Sequence, residues 1–215
     1  MRPTKLRLAG RSVVAALVAL LPVVTTSAEP ALAATRAFTY QCLGSTPLGL
    51  VNGFAYQDVL STSAPASVPA GQNMTIVVNP RRNQMPSAID DRPVVFTSGI
   101  TLKLPMPTNS TFVSASLSGG FGTGPVTVTP ASPYLVFSIP GPIVGGATFQ
   151  LPTLTLTVTA GPASSGPVIF KLDGFTMPNP ALTFTARIQG STITADVPTR
   201  CIPNPNAALT QTTVT

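Results

Sequence analysis

Apolar and polar residues alternate along most of this chain with a period of two, and the alternating stretches are rich in Thr, Val, Ile and Phe. Such alternation sends successive side chains to opposite faces of an extended strand. The plainest case is Thr153-Leu154-Thr155-Leu156-Thr157-Val158-Thr159, with threonines on one face and Leu and Val on the other. The same pattern predicts strands over residues 36–42, 50–60, 73–79, 94–104, 111–117, 126–129, 134–139, 168–172, 182–188 and 191–197. Asn52-Gly53 matches a tight hairpin turn, but it is read here as part of one bulged strand, and a second bulge is expected at Gly99. Turns are predicted at Thr46-Pro47-Leu48-Gly49, over residues 65–71 and at Asp173-Gly174. The glycine-rich stretch 119–125 is predicted as a flexible loop.

No stretch carries apolar positions at helical spacing, and 24 prolines would interrupt most helices. Many short strands separated by Pro and Gly turns predict an all-β fold. The expected architecture is an antiparallel two-sheet β-sandwich of immunoglobulin-like type, with a closed β-barrel as the alternative. The chain has a one-domain length of 215 residues. Residues 34–202 are assigned to the domain, and residues 203–215 are read as a polar flexible tail with little to bury.

The N-terminus follows a different rule. Arg2, Lys5, Arg7 and Arg11 precede an apolar run from Val13 to Val24, and Ala31-Leu32-Ala33 supplies small residues at a cleavage position. A basic start, a short apolar run and an A-x-A site describe a secretory signal peptide over residues 1–33. The run is too short for a membrane-spanning helix, which needs about 20 residues. Cleavage is placed after Ala33, with Ala28 as the alternative. The chain's +6 charge then shrinks, because the segment holds four basic residues and the only Glu. Eight basic and five acidic residues remain, a net +3. That is too few and too dispersed for a nucleic-acid footprint. Soluble domains typically keep about a quarter of the surface charged. So sparse a charge suits an extracellular or envelope-associated protein with no transmembrane segment.

Two cysteines, Cys42 and Cys201, are the only ones. An exported chain with two cysteines permits one intramolecular disulfide, here tying the first predicted strand to the last. Their distance apart and the lack of any His exclude C-x-x-C redox and zinc spacings. Without His, and without Glu after the signal segment, Ser-His-Asp and Cys-His machinery is unavailable. Glycosidase chemistry would have to come from five Asp. No enzyme activity, cofactor or metal is expected on this basis. Met85-Pro86, Met106-Pro107 and Met177-Pro178 offer soft thioether ligands for copper(I), but methionine more commonly fills gaps in a core. Lys103 is a candidate for a Lys-Asn or Lys-Asp crosslink, yet its place between Leu102 and Leu104 predicts that it faces solvent. Asn73 and Asn109 match the N-glycosylation pattern.

The candidate binding loop is the stretch 80–93. It carries Arg81, Arg82, Asp90, Asp91 and Arg92, five of the thirteen charges of the predicted mature chain. Loops on a rigid scaffold often hold function, although mixed charges also describe an ordinary solvated loop.

The chain resembles a group of small secreted β-rich proteins of mycobacteria and related actinobacteria. The residues behind the resemblance are Tyr40-x-Cys42, Thr46-Pro47-Leu48-Gly49, Ala64-Pro65-Ala66-Ser67-Val68-x-x-Gly71, Pro140-Gly141-Pro142-Ile143 with Gly145-Gly146-Ala147-Thr148-Phe149 and Leu151-Pro152, Leu182-Thr183-Phe184-Thr185-Ala186, and Cys201-x-Pro203-Asn204-Pro205. The resemblance implies an exported actinobacterial setting and assigns no site residue, since the group has no assigned function.

Three functions are expected, in order. The first is a secreted, non-enzymatic envelope protein that binds a wall component or protein partner through its end loops. The second is a carrier of an apolar small molecule in a cavity between sheets. The third is a hydrolase using Asp and Tyr.

Overall fold

The computed structural model describes residues 31–45, 51–204 and 208–215. Residues 1–30 of the predicted signal segment 1–33 and the predicted turn at Thr46–Gly49 lie outside these residues, whereas Ala31, Leu32 and Ala33 pair with Pro65, Ala64 and Ser63 at the start of the first strand, three residues ahead of the predicted domain boundary. The strands are β1 (Ala31–Ser45), β2 (Val51–Pro65), β3 (Ser67–Val68), β4 (Asn73–Pro80), β5 (Asn83–Gln84), β6 (Ala88–Ile89), β7 (Arg92–Pro105), β8 (Ser110–Ser118), β9 (Thr127–Ala131), β10 (Tyr134–Ile139), β11 (Ile143–Val144), β12 (Thr148–Phe149), β13 (Thr153–Ala160), β14 (Val168–Lys171), β15 (Leu182–Gln189), β16 (Thr194–Asn204) and β17 (Ala208–Val214). The described residues hold no α-helix, only a 3₁₀ turn at Ala163–Ser165.

The all-β antiparallel prediction holds, and the main sheet takes the barrel-like form of the two considered. Its strand order is β8-β13-β4-β2-β1-β16-β15-β7-β10-β9, with β6 and β11 added along β7. The two end strands, β8 and β9, come back towards each other and leave the curled sheet nearly closed. Inward side chains from β1, β4, β7, β10, β13 and β15 form one continuous apolar core. On β13 the alternation is complete: Leu154, Leu156 and Val158 are buried between partly exposed threonines.

β2 pairs with β1 from Ser45↔Val51 to Ala31↔Pro65 without a register shift, so Asn52-Gly53 lies in a strand and the bulge expected there is absent. The bulge expected at Gly99 is present. Between the pairs Thr183↔Thr101 and Thr185↔Ser98, two residues of β7, Gly99 and Ile100, oppose one of β15, and Gly99 has φ +60°. A glycine takes that left-handed conformation at no steric cost.

Cys42 and Cys201 are disulfide-bonded and directly opposed in the β1–β16 ladder. Cys201 lies within β16, one strand before the last. The final strand is β17, formed from residues that the sequence reading left in a flexible tail. It joins β14 antiparallel and β3 parallel in a separate three-stranded sheet. Its Leu209, Thr210, Thr212 and Val214 are buried. The threonine hydroxyls explain why so polar a segment can dock. Thr212 Oγ1 donates to the Pro65 carbonyl at 2.8 Å, and Thr62 Oγ1 of β2 donates to the Leu209 carbonyl at 2.9 Å. Buried hydroxyls that bond to backbone cost far less than unpaired ones.

Candidate functional site

The register of β1 against β2 builds an unusual inner face. Phe38 opposes Asp58, Tyr40 opposes Tyr56 and Cys42 opposes Phe54. Period two places all six on the same, inward side. The Tyr40 and Tyr56 rings stack at 6.4 Å, and Phe38 meets Tyr40 edge-on at 5.2 Å. Asp58 is therefore a carboxyl on the apolar face of a strand.

Four of the six, Tyr40, Phe54, Tyr56 and Asp58, line a mainly apolar pocket of about 60 Å³ inside the curled sheet, partly open to solvent. β7 contributes Val94, Thr97, Ile100 and Leu102; β15 contributes Leu182 and Phe184; Ile139, Ile143 and Phe149 complete the apolar wall. A second chamber of about 20 Å³ adjoins it and shares Tyr40, Asp58, Pro80, Leu102 and Leu151. Asp58 and Tyr40 thus stand where the two chambers meet.

Asp58 Oδ1 accepts the Val59 N–H at 2.7 Å and Asn83 Nδ2 at 3.4 Å. Asn83 also donates to the Gln57 carbonyl at 3.0 Å, which ties β5 to β2. Burial pushes the Asp58 carboxyl up to about 6, and the two hydrogen bonds pull only partly against it. Among the described residues it has no ion-pair partner within 4.0 Å. The Tyr40 and Tyr56 phenols are pushed well above the ordinary tyrosine range, first by burial and then by the nearby Asp58 charge. They stay protonated and able to donate.

The stretch 80–93 is not a free loop. β5 pairs with β12, and β6 turns back onto β7. Met85 and Ile89 are buried beneath it and line the pocket. Glycine-rich residues 119–124 lie against the same cap: Phe121 exchanges backbone hydrogen bonds with Gln150, whose side chain donates to the Pro80 carbonyl at 2.9 Å. A Cβ on Gly122 would come within 2.9 Å of the Thr148 carbonyl oxygen, so only glycine fits there. The cap is one packed layer of three chain segments.

The structure separates the five charged residues predicted as a site. Arg81 is exposed at the pocket wall, and its N–H bonds the Val59 carbonyl at 3.0 Å. Arg82 stands 5.2 Å from the Phe121 ring on the outer side of the cap. Asp90 and Asp91, at φ 48° and 58°, are the two central residues of the tight β6–β7 hairpin, closed by Ile89↔Arg92. A two-residue turn of that hand favours Asn, Asp or Gly. Asp90, Asp91 and Arg92 are exposed and do not line the pocket. The functional candidates missed in the sequence, Asp58, Tyr40 and Tyr56, were signalled by alternation. Phe54, Tyr56, Asp58 and Leu60 occupy every second position of one strand.

Three other sequence readings, the methionine set, Lys103 and Asn109, are placed by the structure. Met85 Sδ accepts the Thr97 hydroxyl at 3.4 Å within the core, and Met106 packs against that core, so both fill gaps. Lys103 does not simply face solvent. Its Nζ donates to Asn179 Oδ1 at 3.0 Å and lies 5.6 Å from the Tyr134 ring, because residues between Leu172 and Ala181 cover the outer face of β7 there. The Asn109 amide is engaged with the Pro162 and Gly166 carbonyls.

No family model matches the chain, and no curated protein matches it. Among solved structures, a Corynebacterium diphtheriae protein described as membrane anchored is similar over 85% of this chain, at 17% identity and a TM-score of 0.49. The aligned region is 38% of that protein's length.

Proposed function

We propose that this is an exported, non-catalytic binding protein of an actinobacterial cell envelope, whose curled sheet takes a small apolar group into the pocket under the cap. The observation that carries this reading is the pocket itself: an apolar, partly open space in the core, with one carboxyl and two phenols in its lining. Ligand sites commonly combine apolar walls with a few placed polar groups. The volume sets the scale of the guest. An engineered apolar cavity of about 150 Å³ takes benzene, so about 60 Å³ suits a short chain end or a headgroup, not a whole lipid. Hydrolysis is a weaker reading, because among the described residues Asp58 is the one carboxyl lining the pocket and both phenols are held away from ionisation.

The test is a titration with n-alkanols of increasing length, followed by tyrosine fluorescence. Two of the three tyrosines line the pocket and there is no Trp, so the signal reports on it. Affinity should rise about fourfold per methylene, from about 0.8 kcal/mol for each CH₂ buried, and stop rising once the space is filled. Absence of saturable binding at any length overturns the reading.

A second reading uses the outer surface of the cap to bind a wall component or protein partner. Phe121 favours it: the ring is 42% exposed with Arg82 beside it. Unchanged retention on cell-wall material after Phe121→Ala with Arg82→Ala would remove this reading.

A further inference from the structure

The pocket's polar end has a chemistry of its own. Among the described residues, Asp58 uses Oδ1 for both of its hydrogen bonds and leaves Oδ2 without one at the junction of the two chambers. The Tyr40 and Tyr56 rings, stacked on each other, line the larger chamber together with Phe54 and Phe149. The charged and titratable groups that share the pocket with Asp58 are Tyr40 from β1, Tyr56 from β2 and Arg81 at the outer wall. None of them neutralises the carboxylate: the phenols stay protonated, and among the described residues no arginine pairs with it within 4.0 Å.

A carboxylate in an apolar enclosure, flanked by aromatic rings and lacking a counter-ion, is completed by a cation that also has an apolar body. The ammonium would satisfy Oδ2, the ring faces would attract it, and its hydrocarbon would fill the larger chamber. A neutral alcohol could donate to the same oxygen but would leave the charge uncompensated. An organic acid would be repelled. Resting on the binding reading above, we infer that the ligand is an apolar amine, with the protonated nitrogen on Asp58 and the hydrocarbon against Phe54, Phe149 and Ile100.

The pH dependence follows from the same groups. Asp58 must be ionised to pair with the ammonium, so affinity for the amine falls as the carboxyl is protonated. Burial, with a carboxyl pushed up to about 6, places that loss within an accessible range. A bound cation in turn draws the Asp58 carboxyl back down.

The experiment compares n-hexylamine, 1-hexanol and hexanoate on the full chain at about pH 7.5 and about pH 5, read by tyrosine fluorescence, with Asp58→Asn as the variant. The amine should bind about tenfold or more tightly than the alcohol at the higher pH, the gain of one charge-assisted hydrogen bond to an ion. That preference should collapse at the lower pH and in Asp58→Asn, while 1-hexanol binds both proteins alike. Equal binding of amine and alcohol, or a preference that survives in Asp58→Asn, overturns the amine and leaves the apolar pocket standing. If none of the three binds, the pocket reading itself fails. Asn is isosteric with Asp and removes a partly buried charge, so the variant is expected to fold.

Discussion

The inner face of β2 is built twice over, and the two halves differ. Thr62 and Ala64 are each buried to 2% exposure, whereas Leu60 already borders the second chamber. Thr62 and Ala64 lie under β17, which closes on them through the Thr62–Leu209 and Thr212–Pro65 hydrogen bonds. Phe54, Tyr56 and Asp58 face the same way on the same strand, yet they are only partly buried and border open space. One half is sealed by the chain's own C-terminal strand. The other is covered by a cap of three segments that stops short of filling it. The period-two pattern is identical in both, so the difference comes from what each half meets across the core.

The comparison can be broken from the sealed side first. Phe170 on β14 is fully buried next to β17, and Phe170→Ala should destabilise by about 3–5 kcal/mol. A midpoint shift in urea denaturation measures it. The same aromatic truncation at Phe54, partly exposed at the pocket, should cost clearly less, because part of its surface already lies against open space. Equal losses would show that the two halves are equally packed. Replacing both cysteines by Ala should remove about 2–5 kcal/mol without altering either half, since Cys42 and Cys201 are already neighbours in the β1–β16 ladder.

The open half should show itself through pH. Asp58 has a folded value of about 6 against an ordinary 3.8, so the native state binds its proton more tightly than the unfolded chain does. The resulting stability is fully present below the unfolded value and is lost as pH rises through about 6. The difference is on the order of 2 kcal/mol after discounting for partial solvent access. Asp58→Asn should therefore flatten the wild-type decline between about pH 4 and about pH 7 and leave the variant the more stable at the upper end. A wild-type profile that rises over the same window would mean that the carboxylate is satisfied.

The smallest effect belongs to the hairpin tip. Replacing Asp90-Asp91 by Asn-Gly keeps the turn chemistry, so stability should change by no more than about 0.5 kcal/mol. Alkanol binding should not change at all. A loss of binding would return these two residues to the functional site.

Much of this was legible in the alternation, and the rest depended on long-range partners. β13 could be read directly because Thr and Leu separate cleanly by face. The Cys42–Cys201 bond followed from there being one possible pair. β17 was lost because its stabilising contacts are threonine hydroxyls bonded to backbone some 147 residues away, which no local pattern displays. The charged cluster in residues 80–93 drew attention for its density, yet two of its members are there for a backbone conformation. Asp58 could have been found: it interrupts an apolar face at a fixed period. What the alternation could not show is that the space opposite it stays unfilled.

The most direct test of the account is a side-chain NMR titration with 1-hexanol. The expected result is saturable shifts confined to pocket residues such as Tyr56, Ile100 and Ile143, with Ile76, Leu156 and Phe170 unmoved. Shifts spread evenly over both sets, or no saturable shift in either, would contradict it.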